Sequence, residues 1–406
     1  MCRYGCSLLL VADGNLPLCV LGYRRDSRSK LGFSSKGRSC RTEIKKLRLG
    51  GIIIKIRLTT CITMECPTAR MARNMKKFVF FIGIDVSKLT LDIATMQNGE
   101  LRFHRKIQNT MESITEFVEE LKLLPGFKVS KAVFGLEQTG IYSNRLLHAL
   151  GKMKAGIVVQ DSGHIKSSLG SMRGKNDKMD AARIATYLYR NRENLMLWQG
   201  KRRIIGELAS LSALRNRLAS TLRALKVPLK EDRLFIDEKL SVQNNRLCEK
   251  SICSLSSDIA ALDSRIKEVW KGDAKISHLM ALITSIPCIG DMTAIQMIIS
   301  SNEFQTITTP KQFASYAGVA PFPYQSGTSL QGRMRVSHMA NKKVKTLLHT
   351  CAVLSIRFVP EMKEYYTRKT KGEGKHSMLV LNAIRSKLIL RVYACVKADR
   401  TYIRKE

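Results

Sequence analysis

The chain has 406 residues, 44% of them hydrophobic, which is enough for two or three domains with cores of their own and excludes a disordered polycation. Its 69 lysines and arginines against 33 aspartates and glutamates give a formal net charge of +36, which favours a polyanionic partner over a merely solvated basic surface. No run of about 18 apolar residues is present, so we expect a cytoplasmic protein without a membrane span.

The first 74 residues differ from the rest of the chain. They mix basic clusters with scattered cysteines and with short apolar runs that hold no clear period. These cysteines form no CxxC pairs and lack histidines at zinc spacing, which argues against a disulfide framework or a structural zinc. The pattern becomes regular at Met75. We therefore expect residues 1–74 to be a disordered basic extension, or a stretch translated upstream of a natural start at Met75.

Strand and helix patterns alternate from residue 78 onward. The periodicities predict three successive strands at 78–85, 89–96 and 101–107. They then predict a helix at 113–124, a strand at 132–137, a helix at 142–150, a strand at 156–160 and another helix beyond Asp177. Three strands followed by alternating helices and strands is the order expected of an RNase H-like α/β domain.

Four acids stand where these elements begin or end. Asp85 ends the first strand and Glu137 ends the fourth, and in such a mixed sheet those ends lie side by side. Asp177 and Asp180 are in register with the apolar stripe of the following helix, so both face the sheet. Carboxylates are the ligands that Mg²⁺ prefers, and the sequence therefore predicts a Mg²⁺ site for chemistry on DNA or RNA. Taken singly, each acid also fits a turn, a helix N-terminus or a surface ion pair.

Three motifs around these acids carry a resemblance to a known family. They are Ile82–Lys88 (IGIDVSK), Gly135–Gly140 (GLEQTG) and Lys175–Ala181 (KNDKMDA). They resemble the acidic motifs of the DEDD insertion-sequence transposases, a family that includes the Piv-type DNA invertases and the bridge-RNA-guided recombinases. The resemblance covers about residues 78–358, and it implies a RuvC-like domain similar to that of the Holliday-junction resolvases.

A helical segment follows the acidic motifs. Leucines at heptad spacing from Leu208 predict one helix that ends where Pro228 interrupts it, and a second heptad pattern runs from Ile252 to Val269. Two such segments around a charged linker predict an antiparallel coiled-coil hairpin or a dimerisation arm. A plain pair of amphipathic helices within one subunit fits the pattern equally well.

The C-terminal part resembles the transposase domain of the same family. Residues 283–300 read as two helices joined at Pro287–Gly290, with Asp291 able to cap the second helix. This is the helix-hairpin-helix pattern, in which turn amides and a helix N-terminus hold a DNA phosphate, and a plain helical turn is the alternative. A short helix is predicted from Thr309-Pro310. A Gly- and Lys-rich loop at 369–375 precedes a predicted helix at 378–396.

Ser326 precedes Gly327 in a loop, and a glycine allows the close backbone approach that an attacking hydroxyl needs at a phosphodiester. The family pairs a serine with a glycine here, so the resemblance implies that Ser326 is the nucleophile, with Ser329 as the second candidate. From the residues alone, Ser326 is a hydrogen-bonding turn residue. Basic side chains around this loop are predicted to bind nucleic acid, unless they form only a solvated helix face. They are Arg333, Arg335, Lys342, Lys343 and Lys345.

The predicted domains are an extension at 1–74, an RNase H-like DEDD domain at 75–195, a coiled-coil arm at 196–272 and a mostly helical transposase domain at 273–406. The leading hypothesis is a DNA transposase or recombinase with a Mg²⁺ site and a serine nucleophile. The resemblance implies a covalent serine–DNA intermediate and guidance by an RNA from the element. Exchange of four strands needs a dimer or tetramer on DNA. The alternatives are a resolvase-like nuclease that uses metal-activated water and an inactive DNA-binding derivative.

Overall fold

The computed structural model describes residues 42–49, 52–59, 78–170, 176–326 and 330–403, with the first two segments and residues 324–326, 330, 331 and 333 described as backbone only. The predicted start at Met75, the residue Lys175 of the third motif, and Gly327 and Ser329 lie outside the described residues. The chain divides into two compact units at Trp198–Gln199. Within the described ranges, no helix is long and apolar enough to cross a membrane.

The N-terminal segment contains a β-hairpin within the described residues. Strands β1 (Thr42–Leu49) and β2 (Ile52–Thr59) pair in antiparallel register, with Leu49 opposite Ile52. β-branched residues dominate β2, and such residues favour extended backbone. The expectation of a wholly disordered extension therefore does not hold for these two strands.

A five-stranded mixed sheet forms the centre of the first unit. Its strands are β3 (Phe80–Val86), β4 (Thr90–Gln97), β5 (Glu100–Gln108), β6 (Ala132–Glu137) and β7 (Gly156–Gln160). The spatial order is β5-β4-β3-β6-β7, in which β3, β4 and β5 are antiparallel and β6 and β7 run parallel to β3. The predicted strands are found within two residues at each end. The mixed α/β sheet is thus confirmed, and its order is consistent with an RNase H-like domain.

Helices cover both faces of this sheet. They are α1 (Met111–Lys122), α2 (Asn144–Lys152), α3 (Ser162–Leu169) and α4 (Asp177–Arg190). Alternate residues of β3 face opposite sides of the sheet. Phe80, Ile82 and Ile84 pack into the core with α1 and α2, whereas Phe81 packs into the core with α4. Helix α3 was not predicted, because its eight residues hold only one buried apolar side chain, Ile165.

Two glycines allow α4 to lie directly on the sheet. A Cβ atom added at Gly83 of β3 would lie 2.2 Å from the carbonyl oxygen of Ala181 and 2.3 Å from the amide nitrogen of Ala185. A Cβ atom at Gly135 of β6 would lie 2.7 Å from the side chain of Leu188. The first contact is with backbone atoms, which cannot move aside as a flexible side chain can. A close approach of helix and strand therefore requires glycine at position 83.

Two long helices begin the second unit. Helices α5 (Arg203–Phe235) and α6 (Glu238–Lys271) are joined by only two residues. Their contacts run in opposite directions along the two helices: Arg215 bonds Asp263 near one end, and Asn244 bonds Asp232 near the other. The pair is therefore antiparallel, as one of the sequence alternatives predicts. The predicted interruption at Pro228 was wrong, because α5 continues through it to Phe235.

The remaining helices of the second unit are α7 (Ala274–Thr284), α8 (Asp291–Ser301), α9 (Pro310–Tyr316), α10 (Lys342–Phe358), α11 (Pro360–Thr367) and α12 (Ser377–Ala398). Helix α9 begins with a capping box, in which Thr309 and Gln312 exchange side-chain and backbone hydrogen bonds. Asp291 does not cap α8. Gly290 occupies the N-cap position, and Asp291 is the first helical residue, where its charge still complements the helix dipole.

An ion-pair network joins the start of α5 to the helical core of this unit. The guanidinium of Arg202 donates two hydrogen bonds of 2.8 Å to Asp273, the N-cap residue of α7, and bonds of 3.0 Å and 2.8 Å to the buried carboxylate of Glu303. Lys275 lies 3.2 Å from the same glutamate. Because Glu303 is paired with two cations, its charge can be buried without a large penalty. The network therefore anchors the base of the helix pair.

The close contact at Gly83 gives a direct test of the packing between α4 and the sheet. Gly83→Ala adds one methyl group against immobile backbone, so we expect the free energy of unfolding to fall by about 3 kcal/mol. Thermal and denaturant unfolding of the chain would measure the loss.

Gly151→Ala in α2 is the matched control, since nothing lies within 4 Å of the added Cβ atom. Alanine is the better helix former, and this variant should gain about 0.5 kcal/mol. Equal stability of the two variants would contradict the packing described for Gly83.

Candidate functional site

Asp85 and Glu137 lie at the same edge of the sheet and on the same face. In the parallel register of β3 and β6, Ile84 is opposite Leu136, so the two acids that follow them are neighbours at the ends of adjacent strands. Each acid lies two residues after a glycine, Asp85 after Gly83 and Glu137 after Gly135. At both glycines, α4 occupies the space that a side chain would fill. Side chains two residues apart on a strand share a face. Both carboxylates therefore point to the side that α4 covers.

The first turn of α4 brings the other two acids to this edge. Asn176 caps the helix by accepting a hydrogen bond of 3.1 Å from the amide of Lys178. The buried stripe of α4 follows helical spacing through Ala181, Ile184 and Leu188. Asp177 and Asp180 precede Ala181 and Ile184 by four residues each, so they continue this stripe beyond the edge of the sheet. The structure thus brings the four predicted acids to one place.

The electrostatics of Asp85 show how close the four acids are. The pKa of Asp85 is raised from 3.8 to about 6, chiefly by burial and then by the negative charges of Asp177, Asp180 and Glu137, in that order. A carboxyl group repelled by three others binds its proton more tightly, because ionisation adds a further negative charge to the cluster. A site of this kind gains from any cation that enters it.

Arg183 is a resident cation beside this site. Its Nη1 donates a hydrogen bond of 2.6 Å to Oδ1 of Asp180, and both side chains are largely buried. A cleft of about 220 Å³ opens here, and its lining includes Glu137, Asp180 and Arg183 together with Lys166 of α3. A carboxylate has two oxygens and several lone pairs, so a bond from Arg183 to one oxygen leaves Asp180 able to accept a second partner.

The donor set fits a hard divalent cation. Four carboxylates at one edge offer only oxygen ligands, which is the preference of Mg²⁺. The raised pKa of Asp85 shows negative charge that is not fully neutralised by Arg183. In the described part of the chain, no three Asp, Glu, His or Cys side chains already stand at the spacing of ligands around one ion. Metal entry would therefore draw the carboxylates closer together.

A fifth acid, Asp92, was not among the predicted site residues. It lies on β4 directly opposite Asp85 in the antiparallel register, and its charge also raises the pKa of Asp85. The Asp92 side chain is buried and bonds Nε2 of His104 at 3.0 Å, and Lys106 lies 3.4 Å away. An aspartate amid the apolar residues of a strand buried on both faces was the sequence signal for it.

Ser326 belongs to the second unit and stands at the end of a strand. Strands β8 (Pro321–Ser326) and β9 (Leu330–Val336) form an antiparallel hairpin in which Ser326 is opposite Leu330. The sequence predicted a loop here, because Pro321 and Pro323 weaken the strand pattern. The three residues between the strands include the glycine of the predicted motif and the second candidate, Ser329, and they lie outside the described residues.

The predicted nucleic-acid-binding residues fall into different environments. Arg335 and Lys342 are exposed, and Lys345 is half-buried. Lys343 points inward: its Nζ donates a hydrogen bond of 3.2 Å to Oγ of Ser212 on α5, and burial together with Arg215 lowers its pKa. The side chain of Arg333 lies outside the described residues. Lys343 therefore serves the packing of α10 on α5.

Comparisons with known proteins match both parts of the chain. Residues 82–231 match the family model of the DEDD transposase of the IS110 type, and residues 280–367 match that of the transposase IS116/IS110/IS902 family. The first match contains all four acids, and the second contains Ser326 and the basic residues around it.

Individual relatives agree with these matches. The pilin gene-inverting protein of Moraxella bovis is 27% identical over 328 residues, which cover 79% of this chain and 97% of that protein. The protein of the same name from Moraxella lacunata is 25% identical over 325 residues, with the same coverage. An uncharacterised 43.6 kDa protein of the insertion element IS110 from Streptomyces coelicolor is 26% identical over 141 residues, which cover 33% of this chain and 34% of that protein.

The raised pKa of Asp85 predicts how stability depends on pH in the absence of divalent cations. The folded-state pKa of about 6 lies above the ordinary value of 3.8, so the ionised group destabilises the fold. The penalty is absent below pH 4, grows as the pH rises and is complete above pH 6. Asp85→Asn should therefore stabilise the chain at pH 7.5 by about 1 kcal/mol, after a discount for partial exposure to solvent.

Thermal unfolding in a chelator at pH 4 and pH 7.5 would measure this gain. Glu116→Gln, which changes an exposed acid on α1, is the matched control and should show no gain at either pH. A gain for Asp85→Asn that is the same at both pH values would contradict the assignment of the effect to ionisation.

Proposed function

Because the chain belongs to the IS110-type family of DEDD transposases, and is therefore a DNA transposase or recombinase, we propose that it cuts and rejoins DNA as the enzyme of an insertion sequence. In this proposal the four acids of the first unit hold Mg²⁺, and Ser326 of the second unit is the nucleophile. The observation that carries the proposal is the convergence of the four acids at one edge of the sheet, where burial and then the charges of the other three acids raise the pKa of Asp85.

The names of the relatives suggest the type of reaction. Two of them are called pilin gene-inverting proteins, and inversion requires that strands be cut and rejoined without loss of DNA. Another belongs to an insertion element. We propose the same class of strand exchange for this chain, at the ends of its own element and at a target site. Guidance by an RNA from the element is part of this proposal and comes from the family resemblance.

The four acids have distinct tasks in the proposed site. DEDD transposase domains generally use divalent metal ions, and a bound ion would neutralise charge on the phosphate and favour ionisation of an attacking hydroxyl. Asp85 and Glu137 are held on adjacent strands of a rigid sheet and would fix the position of the ion. Asp177 and Asp180 come from one helical turn, and Arg183 orients the carboxylate of Asp180.

The proposed serine step conserves phosphodiester bonds. Oγ of Ser326 forms a bond to phosphorus while the bond from phosphorus to one bridging oxygen of the DNA backbone breaks. The hydroxyl proton of the serine passes to water, and the leaving oxygen takes up a proton to become a free hydroxyl. A hydroxyl of a second DNA end then attacks the same phosphorus and releases the serine. No external source of energy is needed, because each bond broken is replaced by another of the same kind.

Cations beside the hairpin would hold the DNA strand during this step. The exposed Arg335 and Lys342 and the half-buried Lys345 carry three positive charges within the eleven residues that run from the end of β9 to the start of α10. Contacts of this type fix the position of a phosphate and carry no sequence information.

One chain has one proposed nucleophilic serine and one set of acids, so exchange of four strands requires several copies. We propose a dimer or tetramer on DNA.

A second candidate is a nuclease that uses metal-activated water. All four acids lie in the first unit, so they need no residue of the second unit to form a metal site. In that case Ser326 is structural, and the product is cleaved DNA with free ends. The two candidates differ in whether a covalent protein–DNA adduct forms.

The acids can be tested separately from DNA binding. Asp85→Ala or Asp180→Asn should reduce strand cleavage in Mg²⁺ by at least about 100-fold, because each removes a ligand of the ion. Salt-sensitive DNA binding should stay within about twofold of wild type, since the basic surface is kept and each variant removes only one acidic charge. Glu116→Gln is the control for both assays. Full cleavage by either site variant would reject the metal site.

A covalent-trapping assay distinguishes the two candidate mechanisms. Wild-type protein and Ser326→Ala are incubated with element-end DNA and Mg²⁺, together with any RNA that co-purifies. We expect a denaturant-resistant protein–DNA adduct for wild type and none for Ser326→Ala, because only the serine hydroxyl can form the bond. Cleaved DNA with free ends and no adduct in either protein would instead support the nuclease.

A further inference from the structure

A large groove in the second unit shares only Arg335 and Lys345 with the residues given a role so far. Its volume is about 910 Å³, and it is lined by residues of the β8–β9 hairpin, of α12 and of the helices α10 and α11. Its lining includes the large apolar side chains Met378, Leu379 and Leu390 of α12, each at least half exposed. Neighbouring exposed side chains of this size on a soluble protein usually mark a binding surface.

The groove is also strongly cationic. Its described lining residues include Arg335, Lys345, Arg385 and Lys387, and none of those lining residues is an aspartate or a glutamate. Lys387 lies over the ring of Tyr365, with its Nζ 3.9 Å from the ring centroid. Positive charge beside an apolar wall is complementary to a ligand that has both an anionic group and an apolar face.

Arg385 is the residue that points most directly to an anionic ligand. Arg385 is 4% exposed, yet its hydrogen-bond partners among the described residues are neutral: Oδ1 of Asn382 at 3.3 Å and Nδ1 of His349 at 2.7 Å. His349 accepts this bond as a neutral ring, since burial and the charge of Arg385 lower its pKa. The Nε of Arg385 is buried and has no hydrogen-bond partner among the described residues. A buried cation without a carboxylate is costly, unless a ligand supplies the anion.

The combination of cationic side chains and an apolar wall in this groove fits an unpaired nucleotide better than a duplex. In a duplex the flat faces of the bases are stacked and hidden, so only the phosphates could use the groove. A nucleotide that has left the stack offers a phosphate and an apolar base face together, and binding of single strands relies on contacts of both kinds. Strand cutting and exchange by this enzyme produce unpaired DNA at the crossover point.

We propose that this groove binds an unpaired nucleotide of the DNA strand, with its phosphate on Arg385 and Lys387 and its base against Leu379 and Leu390. The choice of DNA over other anions rests on the proposed action of the chain on DNA. The site itself rests on the buried guanidinium of Arg385, whose hydrogen-bond partners among the described residues are neutral, and on the apolar wall. It lies in the second unit and includes neither the acids nor Ser326.

Binding of fluorescent oligonucleotides to the full chain tests this proposal without any cleavage. We expect Arg385→Gln, Lys387→Gln and Leu379→Ser each to weaken the binding of single-stranded DNA by about tenfold and that of duplex DNA by less than about twofold. Arg385→Lys keeps the charge and should recover part of the affinity. Thermal unfolding of each variant identifies any that fails to fold, and Lys387→Gln and Leu379→Ser change residues that are not fully buried.

Matched controls lie outside the groove. Lys397→Gln removes an exposed lysine from the same helix, and Val353→Ser removes an exposed apolar side chain from α10. Both should bind single strands as wild type does. Unchanged single-strand binding by all three groove variants, or equal weakening of single-strand and duplex binding, would overturn the proposal. Tighter binding of RNA of the same sequence, with the same dependence on the groove, would overturn the assignment to DNA.

The result of this binding test can be distinguished from the result of the trapping assay, which tests the proposed function. Ser326→Ala should bind single strands normally, and the trapping assay does not depend on the groove when intact element-end DNA is supplied at a saturating concentration. Loss of the adduct in Ser326→Ala together with normal binding by all groove variants would support the proposed function and overturn the groove. The reverse result would support the groove alone.

Discussion

The contact of α4 with the central sheet is the constraint on which the acidic site depends. At Gly83 the backbone of α4 occupies the space in which any other residue would place its Cβ atom. A helix this close to a strand is held in position along it, because the ridge of Ala181 and Ala185 fits the gap left by the glycine. The first turn of α4 is thereby placed beyond the sheet edge, where Asp177 and Asp180 meet the acids that end β3 and β6. Small residues beside the acids thus determine where the four carboxylates lie.

The same placement sets the electrostatic cost of the site. The chain as a whole is strongly basic, yet burial and then the neighbouring acids at this edge raise the pKa of Asp85 to about 6. Asp92 adds to this charge from the neighbouring strand, but it is balanced by His104 and Lys106. Arg183 balances Asp180 in the same way. The protein therefore neutralises Asp92 and Asp180 at the margin, whereas Asp85, at the centre, has no ion pair with any cation among the described residues. A site arranged like this is stabilised by binding a cation, at the expense of stability without one.

The parts of the structure that follow from local patterns were predicted well from the sequence. Strands β6 and β7 have the predicted bounds, since apolar runs between polar turns are unambiguous at that length. The acids were placed correctly because strand ends and helical spacing are also local. Other features depend on tertiary contacts. Helix α5 passes through Pro228 because α6 packs along it, and β8 forms in spite of two prolines because it pairs with β9. Asp92 was missed because its two cationic partners lie on a different strand, twelve and fourteen residues away.

Buried charge separates structural from functional residues in this chain. Glu303 is almost fully buried, but Arg202 and Lys275 satisfy it, and Asp92 is satisfied by His104 and Lys106. Pairs of this kind stabilise the unit in which they lie, and their charges are balanced without a ligand. Arg385 is equally buried and is bonded only to neutral groups, with one buried nitrogen left over. In a chain with 69 basic residues, the abundance of cations carries little information about where an anion binds. A cation that is kept away from water without an acidic partner carries much more, because folding leaves its charge uncompensated until an anion arrives.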